Sequence, residues 1–324
     1  MDLSVNIGPL TLTNPVTLAS GTAGYGEELA EYYDLSRIGA IFTKGLSLKP
    51  RAGNAGNRIL ETPAGVLNSI GLENVGLEKF LSDKLPPLAA TGVAVIPNVA
   101  GHSVDENVDL CRELSHAPGV AALELNVSCP NVKEGGIAFG RDPKVFADLV
   151  EKTRAVTRCA LIVKLSPNVT DITEFAKIAE ERGADAVSAV NTYLGMKIDI
   201  DARRPHFRNR VAGLSGPAIR PMAVRAVYEI FERTRIPIVG IGGIATAEDA
   251  LEFIMAGASA VSIGTMNMVH PDAAVRCLQG IEEFCRAERI GTVRDLIGCA
   301  HGDRVPASSA CDAAQPINTP TTGP

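Results

Sequence analysis

A repeated unit constrains this sequence more than any other feature. In each copy a helical segment leads through Gly-Ala into a short apolar run that ends in polar or glycine residues, as at Arg37–Lys44, Gly183–Asn191 and Gly257–Thr265. Runs that are apolar on both faces are typical of buried parallel strands joined by helical crossovers. The sequence therefore predicts an α/β fold with a parallel sheet.

Eight such runs occur along the chain. They lie around Val16–Ala19, Ala40–Thr43, Val93–Pro97, Ala122–Asn126, Leu161–Leu165, Ala186–Val190, Ile238–Ile241 and Ala260–Ile263. Helix-start signals separate several of them, including Asp142 before a proline and Thr246 in capping-box spacing with Asp249. Eight units favour a closed (β/α)8 TIM barrel, with the active site on loops after the strands. An open doubly wound sheet is the main alternative.

Four segments depart from this alternation. Ser4–Thr13 alternates polar and apolar residues around Gly8-Pro9 and predicts an N-terminal hairpin that caps the bottom of the barrel. The βα connections at Lys44–Pro87 and Asn191–Gly216 are unusually long, which is typical of functional insertions. The last segment is rich in proline and small residues. We therefore expect a single barrel domain at 1–304 and a flexible tail at 305–324.

Composition limits the classes of partner. The chain of 324 residues has a formal net charge of −6 and no Trp, which disfavours nucleic-acid binding. No apolar stretch is long enough to span a bilayer, and the N-terminus lacks the cationic start of a secretion signal. The seven cysteines are scattered, and the five histidines show no paired metal-ligand spacing. We expect a cytoplasmic enzyme without a resident metal.

The sharpest chemical motif is Asn126-Val-Ser-Cys-Pro-Asn131, which is followed by paired glycines. It places Cys129 just beyond the end of a predicted strand, in a loop that could stand over the barrel mouth as a lid. A thiol at that place could serve as a nucleophile or as a base that abstracts a proton. The alternative is an inert, half-buried thiol.

Polar residues recur at the ends of other predicted strands. Lys164 interrupts an apolar run and should face a polar cavity, because a buried ammonium needs an anionic partner. Lys44 follows another strand, where a solvated surface lysine is the alternative. Three asparagines, Asn98, Asn126 and Asn191, lie at comparable places, and a fourth, Asn68, lies on the long connection after Lys44. Their side chains both donate and accept, which would suit a ring with amide and carbonyl edges.

Glycines after the seventh and eighth runs predict a phosphate site. Gly242-Gly243 precedes a capped helix, and Gly264-Thr265 ends the last run. Backbone amides at these two positions form the phosphate cradle common in barrels. The loose dinucleotide pattern at Gly240–Ala245 lacks an acidic residue on the next strand, so a mononucleotide or a sugar phosphate fits better.

Taken together, these motifs resemble those of the dihydroorotate dehydrogenases, FMN-dependent barrels of pyrimidine biosynthesis. The resemblance extends from Leu18-Ala-Ser-Gly21 to Gly264-Thr265, and its most specific parts are Thr43-Lys-Gly45, Asn68-Ser-Ile-Gly-Leu72, the Cys129 motif, Leu214-Ser-Gly-Pro217 and Gly242-Gly243. The presence of Cys at position 129 is similar to the soluble class 1 enzymes. The sequence that follows it resembles that of the NAD-linked type, class 1B.

The resemblance implies a role for each matching residue. Cys129 would remove the C5 proton of (S)-dihydroorotate while the C6 hydride passes to FMN, and Lys44 would share in catalysis. The substrate would be held by Lys44, Asn68, Ser69, Ile70, Gly71, Leu72, Asn126, Asn191 and Thr192. The flavin would be held by Ser20, Lys44, Gly45, Asn98, Asn126, Lys164, Val190 and Gly216, and its phosphate by Gly242, Gly243, Gly264 and Thr265.

An NAD-linked enzyme of this type must pass its electrons onward. The resemblance implies a partner subunit with FAD and a [2Fe–2S] cluster, in a heterotetramer built on a homodimer of this chain. Two departures from the family pattern are visible: Glu73 stands where Gln is expected, and Arg203–Ala212 is unusually basic.

Other functions stay open at this point. A fumarate-linked dihydroorotate dehydrogenase and a dihydropyrimidine dehydrogenase subunit share the Cys129 motif. More remote alternatives are a flavin-free barrel that isomerises or cleaves a phosphorylated sugar, and a non-catalytic scaffold.

Overall fold

The computed structural model describes residues 1–127 and 139–304, so Cys129 and the segment 305–324 lie outside the described residues. The strands are β1 (Val5–Ile7), β2 (Leu10–Leu12), β3 (Val16–Leu18), β4 (Ala40–Phe42), β5 (Ile59–Thr62), β6 (Gly65–Asn68), β7 (Ala94–Ile96), β8 (Asn98–Val99), β9 (Ala122–Asn126), β10 (Ala160–Lys164), β11 (Ala186–Ala189), β12 (Tyr193–Met196), β13 (Ile198–Asp199), β14 (Arg204–Pro205), β15 (Val211–Ser215), β16 (Ile238–Ile241) and β17 (Ala260–Ile263). The helices are α1 (Glu27–Ala30), α2 (Leu77–Lys79), α3 (Leu85–Ala90), α4 (Val104–His116), α5 (Pro143–Val156), α6 (Ile172–Glu181), α7 (Arg220–Arg233), α8 (Ala247–Met255) and α9 (Ala273–Ala287).

The parallel strands close into a barrel. Their order is β7-β4-β3-β17-β16-β11-β10-β9-β8, and the two outermost members are parts of one barrel strand interrupted at Pro97. Closure runs through that strand, since β7 pairs with β4 and β8 pairs with β9. All eight predicted runs are barrel strands, so the predicted (β/α)8 TIM barrel is confirmed and the open sheet is excluded.

The longer helices that cover the barrel are amphipathic, with one buried apolar face. In α5 the buried residues Phe146, Leu149, Val150 and Thr153 recur at helical spacing on one face. Asp142 caps this helix by accepting from the Lys144 and Val145 amides, as the sequence predicted. In the described part of the chain, none of the helices has the length and apolarity to cross a bilayer.

The predicted N-terminal hairpin forms at the amino-terminal end of the barrel strands. Strands β1 and β2 pair antiparallel around Gly8, which has φ 58°. A Cβ at Gly8 would lie only 2.7 Å from the Cβ of Asp185, the residue that precedes β11. Asp185 is itself held, because its carboxylate accepts from Arg154 at 2.7 Å and from the Leu161 amide at 2.8 Å. The hairpin therefore rests directly on the bottom of the barrel.

The two long connections join into one sheet above the opposite end. Strands β5 and β6 follow β4, β12 and β15 follow β11, and the four pair antiparallel in the order β12-β15-β6-β5. Across the central pair, Asn68 lies opposite Gly213 and Val66 opposite Ser215. We call this four-stranded sheet the roof. It brings segments about 145 residues apart in sequence over the carboxyl ends of the barrel strands.

The basic segment Arg203–Ala212 is folded against the roof. Phe207 is buried with Leu67 and Ala212 in a small apolar cluster separate from the barrel core. Two short strands, β13 and β14, form a hairpin at the start of this segment. This cluster anchors the charged stretch, because Phe207 and Ala212 are both buried in it.

We predict that Gly8→Ala lowers the thermal unfolding midpoint more than Gly92→Ala. Both glycines have positive φ, 58° and 81°, so either alanine incurs about 1–2 kcal/mol of backbone strain. Only the Gly8 variant adds overlap with Asp185, since nothing lies within 4 Å of a Cβ at Gly92. Circular dichroism should show an additional loss of roughly 2–6 °C. Equal shifts would mean that the hairpin is not held tightly against Asp185.

Candidate active site

One cavity of about 470 Å³ lies between the carboxyl ends of the barrel strands and the roof. Its volume is in the range of small-molecule sites. The predicted site residues other than Cys129 all line it: Ser20, Lys44, Gly45, Asn68, Ser69, Ile70, Gly71, Leu72, Asn98, Asn126, Lys164, Val190, Asn191, Thr192, Gly216, Gly242, Gly243, Gly264 and Thr265. The structure thus brings these residues together, while their individual roles stay predictions. Cys129 lies outside the described residues.

The floor of the cavity contains a buried ion pair. The Lys164 Nζ lies 3.7 Å from the Glu124 Oε2, and their side chains are 6% and 0% exposed. Lys164 also donates to the Ser20 hydroxyl at 3.0 Å. This carboxylate provides the anionic partner that the sequence required for a lysine inside an apolar strand. The prediction that Lys164 faces a polar cavity is consistent with this position.

Glu124 also orients the asparagines of the floor. Its carboxylate accepts from the Asn98 Nδ2 at 2.5 Å and from the Ser188 hydroxyl at 2.7 Å. With its nitrogen committed to Glu124, Asn98 presents its Oδ1 to the Asn126 Nδ2 at 3.3 Å. Asn126 in turn accepts from the Asn191 Nδ2 at 3.4 Å. One carboxylate therefore sets the orientation of three side-chain amides along the cavity.

On the side of the cavity formed by Gly242 and Gly243, glycines let two backbone segments lie very close to each other. Gly242 and Gly243 have φ 141° and 78°, and a Cβ on Gly243 would lie 2.7 Å from the Gly216 carbonyl oxygen. The capping box of α8 is present, and Asp249 accepts from the Ala245 and Thr246 amides. Because those two amides already have partners, the glycine turn and the segment at Gly264 are the better candidates for an anion cradle.

At the rim, Lys44 faces an acidic residue. Its Nζ lies 3.8 Å from the Glu73 Oε2, and the same oxygen accepts from the Arg58 Nη1 at 2.6 Å. The Lys44 side chain is 27% exposed, so it is neither a buried group nor a freely solvated surface lysine. Glu73, one of the two departures from the family pattern, thus lies between two cations.

Burial makes the described core cysteines poor candidates for a base. It raises the pKa of Cys111 and of Cys277 to about 12, and it also raises the pKa of Cys159 and Cys285. A thiol with a raised pKa stays protonated at neutral pH and is neither a good nucleophile nor a good base. These four cysteines are therefore poor candidates for a catalytic role.

Comparison with known proteins identifies the family. The family model described as dihydroorotate dehydrogenase matches residues 2–285. The chain belongs to the dihydroorotate dehydrogenase family. It is therefore an oxidoreductase, and the resemblance found in the sequence is confirmed.

Several curated relatives cover nearly the whole chain. A protein of Aquifex aeolicus named "Putative dihydroorotate dehydrogenase A (fumarate)" is 52% identical over 93% of this chain and 99% of its own length. Other relatives carry the name dihydroorotate dehydrogenase B (NAD(+)), catalytic subunit, and two of them serve as examples. The one from Trichlorobacter lovleyi is 53% identical over 93% of this chain and 99% of its own length. The one from Geotalea uraniireducens is 50% identical over 92% and 97%.

Two charged residues beside this cavity, Glu124 and Arg58, were not predicted from the sequence. Glu124 was passed over although it is the one acid in the run Ala122–Asn126, and a carboxylate inside an apolar strand is as strong a signal as Lys164. Arg58 gave no comparable signal, because it lies in a long connection where a charged residue is ordinary. Only the fold shows that it contacts Glu73.

We predict that Glu124→Gln destabilises the protein because it leaves the buried Lys164 ammonium without its counter-charge. The expected loss is about 3 kcal/mol in the free energy of unfolding, measured by urea denaturation. Ser188→Ala, which removes only one hydrogen bond to the same carboxylate, should cost about 1 kcal/mol. The double variant Glu124→Gln/Lys164→Met should recover part of the loss. If Glu124→Gln were no worse than Ser188→Ala, the ion pair would not stabilise the floor.

Proposed function

We propose that this chain oxidises (S)-dihydroorotate to orotate with FMN as its cofactor, in the formation of pyrimidine nucleotides. The observation that carries the proposal is the convergence of the predicted flavin and substrate residues on one cavity, in a chain of the dihydroorotate dehydrogenase family. A polar floor, a glycine turn and a cationic rim lie at different sides of that cavity. A flavin phosphate needs hydrogen-bond donors such as the backbone amides of the glycine turn, and a pyrimidine carboxylate needs a cation such as the one at the rim.

The residues of the cavity fit FMN. A Cβ at Gly21, which has φ 93°, would meet nothing within 4 Å and would point into open space, so glycine leaves room for a ligand there. The Thr265 and Ser215 hydroxyls are hydrogen-bonded to each other at 2.9 Å beside the glycine turn, so two polar side chains lie close to the proposed phosphate position. Lys164 and the Asn98 amide line the floor, where a ring with carbonyl and imide edges would need them.

Side chains of this chain would perform the proton chemistry and the positioning. Cys129 would take the proton from C5 of dihydroorotate, while Lys44, Asn68, Asn126 and Asn191 would hold the pyrimidine and its carboxylate. Bound FMN would supply the two-electron acceptor, because protein side chains do not accept hydride. Lys164, a fixed cation in the floor, would favour negative charge that develops on a ring above it. The roof would limit the access of water.

We further propose that NAD+ is the final acceptor and that a partner subunit carrying FAD and a [2Fe–2S] cluster relays the electrons. The relatives from Trichlorobacter and Geotalea are named catalytic subunits, and a catalytic subunit implies a partner for them. A heterotetramer of two of each chain, in the cytoplasm, would satisfy this arrangement. The Aquifex relative favours direct reduction of fumarate as the second candidate.

We predict that Cys129→Ala retains FMN but slows flavin reduction by dihydroorotate roughly 10²–10⁴-fold, because a positioned base typically contributes that much. Stopped-flow absorbance at the flavin band measures the rate, and flavin content after denaturation measures binding. Cys159→Ala is the matched control, since burial raises the pKa of that thiol and it lies outside the cavity. Wild-type reduction rates in the Cys129 variant would remove this residue from the mechanism.

When the chain is purified alone with bound FMN, dihydroorotate should bleach its flavin absorbance, but the chain should not reduce NAD+. The bleaching establishes substrate and cofactor together, and dihydrouracil in place of dihydroorotate tests the dihydropyrimidine dehydrogenase alternative. Reoxidation by fumarate, followed at the same band, would favour the second candidate.

Robust NAD+ reduction by the isolated chain would contradict the need for a partner. A colourless protein that takes up no FMN would contradict the proposed function itself and would favour the flavin-free alternatives.

A further inference from the structure

Three charged side chains from the connection after β4 meet at the rim of the cavity. Glu73 has a cation on each side, Lys44 at 3.8 Å and Arg58 at 2.6 Å. Lys44 and Glu73 line the cavity, and Arg58 lies behind Glu73. The two distances show that the Glu73 carboxylate interacts more strongly with Arg58 than with Lys44. It is hydrogen-bonded to Arg58 but lies at the outer limit of an ion pair with Lys44.

Arg58 is held in place by its own contacts. Its Nε donates to the Asn54 carbonyl at 2.7 Å and its Nη2 donates to the Ala52 carbonyl at 3.0 Å. These two bonds fix the plane of the guanidinium, so the Nη1 that reaches Glu73 has little freedom to turn away. Arg58 is therefore a fixed anchor for the carboxylate.

The backbone at Glu73 is equally constrained. Leu72 before it has φ 55°, an unusual value for a residue with a side chain. Asn74 after it donates to the Ser47 hydroxyl and to the Leu72 carbonyl, both at 2.8 Å. Glu73 can thus move its side chain between the two cations, but its Cα cannot follow.

We propose that Glu73 and Arg58 set the affinity of the site for an anionic substrate by controlling how much of the Lys44 charge is available. Glu73 competes with a ligand carboxylate for Lys44. Arg58 draws Glu73 away and thereby leaves Lys44 able to bind the ligand. Both are positioning residues that act through Lys44. This inference rests on the proposed function, because it takes the carboxylate of orotate as the ligand group.

The two residues should therefore have opposite effects. Removing the charge of Glu73 leaves Lys44 without a competing anion and should strengthen binding. Removing Arg58 frees Glu73 to close the 3.8 Å gap to Lys44 and should weaken binding. In the double variant no carboxylate competes for Lys44, so the loss of Arg58 has no consequence there. The affinity for the anionic ligand should then be equal to or higher than that of the unaltered protein.

The test is a titration of the FMN-loaded protein with orotate, followed by the change in flavin absorbance. We expect Glu73→Gln to lower the orotate Kd roughly two- to fivefold and Arg58→Met to raise it by a similar factor, as for a partly exposed ion pair. In the double variant, Glu73→Gln should cancel the loss caused by Arg58→Met. Glu61→Gln and Arg208→Met change the same charges at exposed positions outside the cavity and should leave Kd unchanged.

Two outcomes would overturn the inference. Weaker binding in Glu73→Gln would make Glu73 a direct ligand group. A double variant as weak as Arg58→Met would make Arg58 a structural anchor of the connection, because a structural loss is not rescued by removing a charge. If orotate caused no spectral change in the unaltered, FMN-loaded protein, the proposed function would fail first, and the inference would fail with it.

Discussion

The Glu124 carboxylate and the Lys164 ammonium lie inside a barrel whose strands are buried on both faces, and each would be costly there without the other. Their pairing has a further consequence. Because Glu124 also accepts from Asn98, the amide oxygen of Asn98 must face Asn126, and Asn126 must then face Asn191. The ion pair that makes the burial of Glu124 and Lys164 possible thus also fixes the pattern of hydrogen-bond donors and acceptors along the floor of the cavity.

The fold was largely predictable because its signal is local. Each barrel strand is a short apolar run, three of the eight follow Gly-Ala, and each run can be recognised without knowing its partners. Asn98, Asn126, Asn191 and Lys164 were predictable for the same reason, since each lies in or just after such a run and so at the carboxyl end of a barrel strand. Glu124 obeys the same rule and could have been found with it.

The roof was not predictable in the same way. Its central pairing joins Asn68 to Gly213, and nothing in either segment specifies the other, because strands in long connections carry only weak alternation. The contact between Arg58 and Glu73 lies within the connection after β4, where β5 pairs with β6 and the Ser69 amide donates to the Arg58 carbonyl. Charged residues in a connection are ordinary in a sequence, and only the fold distinguishes a solvated pair from one that lies beside Lys44.

The floor and the rim of the cavity therefore differ in how strongly their charged residues are tied to the stability of the fold. The floor is part of the barrel core, so its charges are tied to folding and can change little without loss of stability. The roof has a separate small core around Phe207. The rim charges of Lys44, Arg58 and Glu73 lie beside the roof strands and are partly exposed, so substitutions at the rim should cost the barrel little stability. Cofactor binding would then depend on residues that the fold cannot spare. Selection of an anionic substrate would depend on residues such as Glu73, which the fold can vary.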